Sequence, residues 1–232
     1  MRNIILQHFD GELRPLDYQS QYNIMDYADM IDADYKLIRG KPFRKNLTNA
    51  CQKVHMIDEE FDEWDNVLML DIDMFRPRNM SINVFEEKGI GLYASVQQNL
   101  HRRLVQWHPM LASMDAPYWG GAIYKMDRHT RQTLRKQLGG NEGWMHNFNR
   151  PYNYEDEGIM HVLAFRSGFK TEYPYMDQKW CQCSFLPRPE NAGFIHVRTK
   201  VTPQGPKQDK ILNWQNLVDK KILSATDITT KI

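Results

Sequence analysis

A short apolar run followed by two aspartates constrains this chain more than any other feature. Val67-Leu68-Met69-Leu70 is typical of a strand inside a sheet covered on both faces, and Asp71-Ile72-Asp73 follows it directly. Side chains alternate along a strand, so we expect Asp71 and Asp73 to point one way and Ile72 the other. Two adjacent carboxylates repel each other, and a divalent metal is the simplest cation to offset that repulsion. A pair of solvated turn aspartates is the alternative.

The segments before these aspartates alternate between strand and helix patterns. Strand patterns occupy residues 3–9, 35–38 and 67–70, and helix patterns occupy residues 17–32 and 48–64. This order predicts an α/β fold, with a mostly parallel central sheet and helices on both faces. Ligands of such sheets bind beyond the carboxyl ends of the strands, where Asp71 and Asp73 are expected to lie.

The second half of the chain is less regular. Strand patterns occupy residues 90–96, 118–126 and 193–197, helix patterns occupy residues 127–138, 155–168 and 210–223, and residues 97–117 receive no assignment. We expect one main domain over residues 1–205. The remaining residues, 206–232, are expected to form a helical extension whose apolar face docks on that domain or on a partner.

Composition excludes several classes of protein. The 232 residues suit one large domain, and 30 Lys plus Arg balance 29 Asp plus Glu, so we expect no nucleic-acid partner. Three cysteines are too sparse a set for a disulfide framework and favour a reducing compartment. The short apolar N-terminus is unlike a signal peptide, and no stretch is apolar enough to span a bilayer. A soluble, cytoplasmic protein is expected.

Several separated motifs resemble those of one enzyme family when they are taken in order. They are Lys53, Leu68-Met69-Leu70-Asp71-Ile72-Asp73, Tyr118-Trp119-Gly120-Gly121-Ala122-Ile123, Asp156-Glu157-Gly158-Ile159-Met160 and Ile195-His196-Val197. In this order the chain resembles the GT-A-fold glycosyltransferases of the nucleotide-diphospho-sugar transferase superfamily, in a compact form. Within that superfamily it is most similar to the glycogenin-like, family 8-like retaining enzymes.

The resemblance implies a function and a metal site. The function would be metal-dependent transfer of a hexosyl group from a nucleoside diphosphate sugar, with a UDP-sugar expected, and with retention. The acceptor would be a glycan, a protein or a small molecule. Asp71, Asp73 and His196 would bind the metal. Carboxylates combined with an imidazole favour Mn²⁺, with Mg²⁺ as the alternative.

The resemblance also implies a donor site, for which the candidate residues are Phe9, Asp10, Lys53, Gly120, Gly121, Arg198 and Lys200. Phe9 and Asp10 end the first strand, where this fold binds the nucleobase and ribose. Lys53 would sit near the phosphates. The two glycines would let the backbone approach the donor sugar. Alternation along an extended segment places Arg198 and Lys200 on the same face as His196, where they would hold the leaving diphosphate.

Two carboxylates, Asp156 and Glu157, are the predicted catalytic residues. By resemblance, Asp156 hydrogen-bonds hydroxyls of the donor sugar, and in an inverting enzyme either carboxylate would be the general base of the acceptor. A helix N-cap is the structural alternative for Asp156.

The chain also departs from the family pattern. An Asn is replaced near Gly120, Glu157 replaces a Gln, and the Gly and Lys-Pro-Trp that usually follow the late His are missing. A phosphate clamp must therefore be built differently here. Two other functions stay open, namely a haloacid-dehalogenase-type phosphatase with Asp71 as nucleophile, and a nucleotide-sugar-binding protein without catalysis.

Overall fold

Two sheets organise the part of the chain that the computed structural model describes, namely residues 1–93, 98–139, 142–148, 155–185, 187–199 and 209–227. The strands are β1 (Asn3–Phe9), β2 (Asp34–Arg39), β3 (Asn66–Leu70), β4 (Met74–Phe75), β5 (Gly91–Leu92), β6 (Gly120–Asp127), β7 (Gln182–Cys183) and β8 (Ile195–His196). The larger sheet has the order β2-β1-β3-β6-β5, and the smaller has the order β4-β8-β7.

The larger sheet is mostly parallel, as predicted. Strand β1 pairs in parallel with β2 and β3, whereas β6 runs antiparallel to β3 and β5 antiparallel to β6. Four of its five strands therefore run in one direction, with β6 reversed. The carboxyl ends of β1 and β3 consequently meet at the same edge of the sheet, because their residues pair in register from Ile4↔Val67 to Gln7↔Leu70.

Apolar residues of β1 and β3 pack into two separate hydrophobic cores, one on each face of the sheet. Ile4 and Met69 belong to a core on one face of the sheet, and Ile5 and Leu68 belong to a core on the other. This alternation explains the continuous apolar runs, since both faces of these strands are covered. Ile24 of the first helix packs in the second core. The prediction of helices on both faces is confirmed.

The helices are α1 (Pro15–Met30), α2 (Gln98–Trp107), α3 (Arg128–Arg135), α4 (Glu155–Arg166) and α5 (Lys210–Asp219). One predicted helix, over residues 48–64, is wrong in type. That region contains two 3₁₀ segments, Ala50–Ile57 and Glu59–Phe61. Asp58 separates them because its backbone is extended and its carboxylate accepts a hydrogen bond from the Glu60 N–H at 3.1 Å.

Two predicted strands are shorter than expected. The strand predicted over residues 90–96 contains only Gly91–Leu92 as strand, and residues 94–97 of that prediction lie outside the described residues. The strand predicted over residues 193–197 contains only Ile195–His196.

Helix α5 packs on the rest of the molecule. Its Leu217 lies in a small core with Phe75 and Ile195. Beyond the helix, Gln19 and Thr226 exchange two hydrogen bonds, of 2.7 and 2.8 Å. The predicted domain boundary after residue 205 falls outside the described residues and stays a prediction. Within the described ranges, no helix combines the length and apolar character needed to cross a membrane.

Candidate active site

Asp71 and Asp73 lie in a turn that connects β3 to β4. The Met74 N–H donates to the Asp71 carbonyl at 3.2 Å, which closes the turn. The two carboxylates therefore converge through the turn rather than through strand alternation, since β3 ends at Leu70. Ile72, which strand alternation would direct away from them, also lines the cleft into which they face.

His196 joins the two aspartates through the smaller sheet. Strand β8 pairs with β4 directly after the turn, with Met74 opposite His196, and the Val197 N–H donates to the Asp73 carbonyl at 2.9 Å. The His196 Nε2 atom lies 3.0 Å from Asp73 Oδ1 and 3.7 Å from Asp71 Oδ2. One ligand atom from each of the three side chains falls within 4.8 Å of the others. Two carboxylates and one imidazole at this spacing fit a divalent cation.

Lys53 is buried behind this group. Its ammonium donates to Asp71 Oδ1 at 2.8 Å and to the Gly121 carbonyl at 2.6 Å, and it lies 3.0 Å from Asp156 Oδ2. Burial acts to lower the pKa of Lys53, but Asp156 and Asp71 outweigh it and hold that pKa above its ordinary value. A charged lysine therefore links the aspartate turn to helix α4.

Asp156 lies in the first turn of α4, inside the helix rather than at its N-cap, because the helix begins at Glu155. It is 3% exposed, and the Tyr124 hydroxyl donates to its Oδ2 at 3.0 Å. Burial raises the pKa of Asp156 above its ordinary value, Glu157 and Asp71 add to the rise, and Lys53 opposes it.

Gly120 and Gly121 begin β6 beside these carboxylates. The Gly121 N–H donates to Glu157 Oε1 at 3.0 Å. A Cβ at Gly121 would lie 2.6 Å from Asp156 Oδ2 and 3.1 Å from Glu157 Cγ, so the glycine makes room for both carboxylates of α4. Gly120 pairs with Leu92 of β5. The predicted approach of these glycines to a donor sugar stays a prediction.

One cleft of about 320 Å³ brings six of the twelve predicted site residues together. Phe9 and Asp10, at the end of β1, line it on one side. The remaining lining residues are His8, Asn49, Ala50, Lys53, Leu70, Asp71, Ile72, Asp73 and His196. Sequence reasoning missed His8, whose Nε2 lies 2.6 Å from the Gly40 carbonyl, and Asn49, which precedes Lys53 by one turn.

Neither of the two predicted diphosphate contacts is among the described residues that line this cleft. Arg198 is exposed, and its backbone N–H donates to Ser184 Oγ at 3.3 Å while its carbonyl accepts from Asn213 Nδ2 at 2.8 Å. It is not among the described residues that line the cleft. Lys200 lies outside the described residues.

A different lysine, Lys210, reaches the site from the first turn of α5. Its ammonium contacts Asp73 Oδ2. Burial alone would raise the pKa of Asp73, but His196 and Lys210 outweigh it and hold that pKa below its ordinary value. Lys210 stands 137 positions from Asp73 in the chain, so no local pattern pointed to it. The missing phosphate clamp after His196 was the only signal that another cation was needed.

Comparison with known proteins identifies the fold. No protein-family model and no curated protein sequence matches the chain. A glycosyltransferase involved in the glycosylation of the major capsid of PBCV-1 matches with a TM-score of 0.56 at 12% identity, over 94% of this chain and 100% of its own. The galactosyltransferase LgtC, solved with donor and acceptor sugar analogs, matches with a TM-score of 0.54 at 10% identity, over 99% and 100%. The chain therefore has the GT-A fold of glycosyltransferases, and the predicted resemblance is confirmed.

Proposed function

We propose that this protein is a metal-dependent glycosyltransferase that moves a hexosyl group from a nucleoside diphosphate sugar, a UDP-sugar, to an acceptor. The observation that carries the proposal is the convergence of Asp71, Asp73 and His196 in a cleft at the carboxyl ends of β1 and β3. In a sheet of this kind ligands bind at that edge. The GT-A fold supports the same chemistry.

Asp71, Asp73 and His196 would hold the cation, with Mn²⁺ favoured over Mg²⁺ by the mixed oxygen and nitrogen donors. When bound, a divalent cation stabilises the charge that develops on the leaving diphosphate. Asp71 would be oriented for this task by Lys53, which holds its Oδ1 atom at 2.8 Å. Lys53 would thus act as a positioning residue, in addition to its predicted place near the phosphates.

Phe9 and Asp10 would bind the nucleobase and ribose, since they line the cleft at the end of β1, beside the aspartate turn. Arg198 and Lys200 stay predicted diphosphate contacts. Gly120 and Gly121 stay predicted contacts of the donor sugar.

The two predicted catalytic carboxylates, Asp156 and Glu157, would have different roles. Glu157 is half-buried, whereas Asp156 is buried, and the Glu157 Oε1 atom accepts a hydrogen bond from the Gly121 N–H at 3.0 Å. Asp156 is buried and holds Lys53 and Tyr124. We assign contact with the reacting sugar to Glu157 and an orienting role to Asp156. The resemblance favours retention, and the anomeric configuration of the product, read by NMR, tests it.

A donor panel tests the proposal. UDP- and GDP-sugars are incubated with the protein and Mn²⁺, and nucleotide release is measured with and without EDTA. We expect release from one donor, strongest with a UDP-sugar and abolished by EDTA. UDP binding with no turnover of any donor, even when glycan, peptide and small-molecule acceptors are added, would instead favour the non-catalytic binding protein. No observation favours the phosphatase over the transferase, and two solved structures that share the fold are glycosyltransferases.

A further inference from the structure

Each aspartate of the proposed metal site is already paired with a lysine from another element. Lys53 holds Asp71 Oδ1, and Lys210 contacts Asp73 Oδ2. The protein itself therefore places an ammonium group beside each of these two carboxylates. A cation that binds Asp71 Oδ1 or Asp73 Oδ2 must compete with an ammonium group for that oxygen.

The two lysines differ in how easily they can be displaced. Lys53 is buried, with 9% of its side chain exposed, and it has further partners in Asp156 and the Gly121 carbonyl. The Lys210 side chain is 35% exposed, so it can leave Asp73 and enter solvent at little cost. Lys210 is therefore the ammonium that a metal would displace.

In the described structure, both carboxylate oxygens of Asp73 already contact other side chains. Its Oδ1 atom lies 3.0 Å from His196 Nε2, and its Oδ2 atom contacts Lys210. Coordination of a cation by Asp73 must therefore break one of these contacts. His196 is itself a proposed ligand, so the contact with Lys210 is the one that competes.

The docking of α5 holds Lys210 in place. Three residues after Lys210, Asn213 donates to the Arg198 carbonyl at 2.8 Å, one turn along the same helix. Leu217 packs in the small core with Phe75 and Val197, next to the aspartate turn and β8. The N-terminal turn of α5 is thereby fixed beside Asp73, and the ammonium is available as a constant competitor.

We infer that Lys210 makes the metal site dependent on the nucleotide. The free protein binds a divalent cation weakly because Lys210 occupies Asp73. A nucleoside diphosphate relieves this competition, because its phosphates give the displaced ammonium a new anionic partner. Metal and nucleotide then raise each other's affinity by the same factor. This inference rests on the proposed function, since it takes Asp71, Asp73 and His196 as the metal ligands.

Calorimetric titration with Mn²⁺, in the absence and presence of saturating UDP, tests the inference on three proteins. These are the wild type, Lys210→Met and Lys220→Met. Methionine keeps the length and the helix propensity of the lysine side chain while removing its charge. Lys220 caps the other end of α5, roughly 15 Å away along the helix axis, so its substitution is a matched control for the loss of charge.

We expect Lys210→Met to bind Mn²⁺ alone about tenfold more tightly than the wild type, because the competitor is gone. The factor by which UDP tightens Mn²⁺ binding should shrink by about as much. Lys220→Met should match the wild type in both titrations. Thermal melting without metal checks that the variants are folded.

Two results would overturn the inference, and they differ in what they say about the proposed function. If the wild type and Lys210→Met both bind Mn²⁺ with equal affinity, or if Lys220→Met tightens binding as much as Lys210→Met does, Lys210 is not a competitor and the metal site itself stands. If neither the wild type nor Lys210→Met binds Mn²⁺, even with UDP, both the inference and the proposed metal site fail.

Discussion

Lys53 and Asp156 form a buried ion pair, with 3.0 Å between the ammonium nitrogen and the carboxylate Oδ2. The residues are 7% and 3% exposed. Because the same ammonium donates to Asp71 at 2.8 Å, one lysine connects the start of α4 to the aspartate turn. The charge balance of the site therefore depends on a residue that would not itself touch the metal.

Removal of Lys53 should destabilise the fold. Lys53→Met leaves Asp71 and Asp156 without their shared cation, and breaking a buried pair costs about 3–5 kcal/mol. Urea denaturation measures the free energy of unfolding. Lys36→Met, which removes an exposed lysine 3.4 Å from Glu60, is the control and should cost less than about 1 kcal/mol.

A double variant separates charge from packing. Lys53→Met combined with Asp156→Asn removes both charges of the pair, so we expect it to be more stable than Lys53→Met alone. Equal instability of the double and the single variant would show that lost packing, not an uncompensated carboxylate, causes the effect.

Gly121 should tolerate no side chain. In Gly121→Ala the new Cβ would meet Asp156 Oδ2 at 2.6 Å, so the first turn of α4 must shift. We expect a loss of about 1–3 kcal/mol in the free energy of unfolding, together with reduced donor turnover. In Gly139→Ala the nearest atom would be the Lys136 carbonyl oxygen at 3.8 Å, which is ordinary contact, and both quantities should stay close to the wild type. Unchanged stability of Gly121→Ala would contradict the described packing.

His161 should make the fold sensitive to mild acid. It is fully buried, its Nδ1 lies 2.8 Å from the Pro117 carbonyl, and its ring centroid lies 4.4 Å from that of His101. Burial lowers the pKa of His161 to about 4, whereas in the unfolded chain a histidine titrates near its ordinary value of about 6.5. Between pH values of about 4 and 6.5 the unfolded state binds more protons than the folded state. The stability that neutral His161 confers is therefore present above this pH window and is lost as the pH falls through it.

The measurement is urea denaturation of the wild type and of His161→Asn at two pH values. From about pH 7 to pH 5 the wild type should lose about 2 kcal/mol more than His161→Asn, whose amide can still donate to the Pro117 carbonyl. His129→Asn, which replaces an exposed histidine of α3, should follow the wild type. Identical pH dependence of the wild type and His161→Asn would show that this imidazole is not held neutral.

Much of the sheet could be predicted from the sequence because its central strands are covered on both faces. Continuous apolar runs indicated the positions of β1 and β3. The start of helix α3 is fixed by a local cap, in which the Asp127 carboxylate accepts a hydrogen bond from the Thr130 N–H at 2.6 Å. These signals lie within a few residues of the elements that they define, so they can be recognised without knowledge of the fold.

Elements that depend on tertiary contacts were harder to predict. Helix α2 received no assignment, although Leu104 is buried and Leu100 and Val105 pack against the same core, because these few apolar residues stand in a stretch rich in His, Arg, Met and Trp. The segment around Asp58 has a helical pattern, yet one side-chain hydrogen bond divides it into two 3₁₀ segments.

The residues of the candidate site also differ in whether local sequence or tertiary contacts place them. Asp71 and Asp73 could be predicted as site residues because they come directly after the apolar run of one strand, whereas His196 could be predicted only through resemblance to a family. Lys210 was missed because its place beside Asp73 is set by the docking of α5, which local sequence does not encode.

The most direct test of the account is donor turnover by the wild type and by Asp73→Asn, in Mn²⁺ and with EDTA. Asp29→Asn, which neutralises an exposed aspartate of α1, is the matched control. We predict that the wild type and Asp29→Asn release nucleotide from a UDP-sugar only when Mn²⁺ is present, and that Asp73→Asn, although folded, loses this activity by a factor of about 100 or more. Turnover by Asp73→Asn equal to the wild type, or turnover that EDTA does not reduce, would contradict the central claim that Asp71, Asp73 and His196 form the metal centre of a glycosyltransferase.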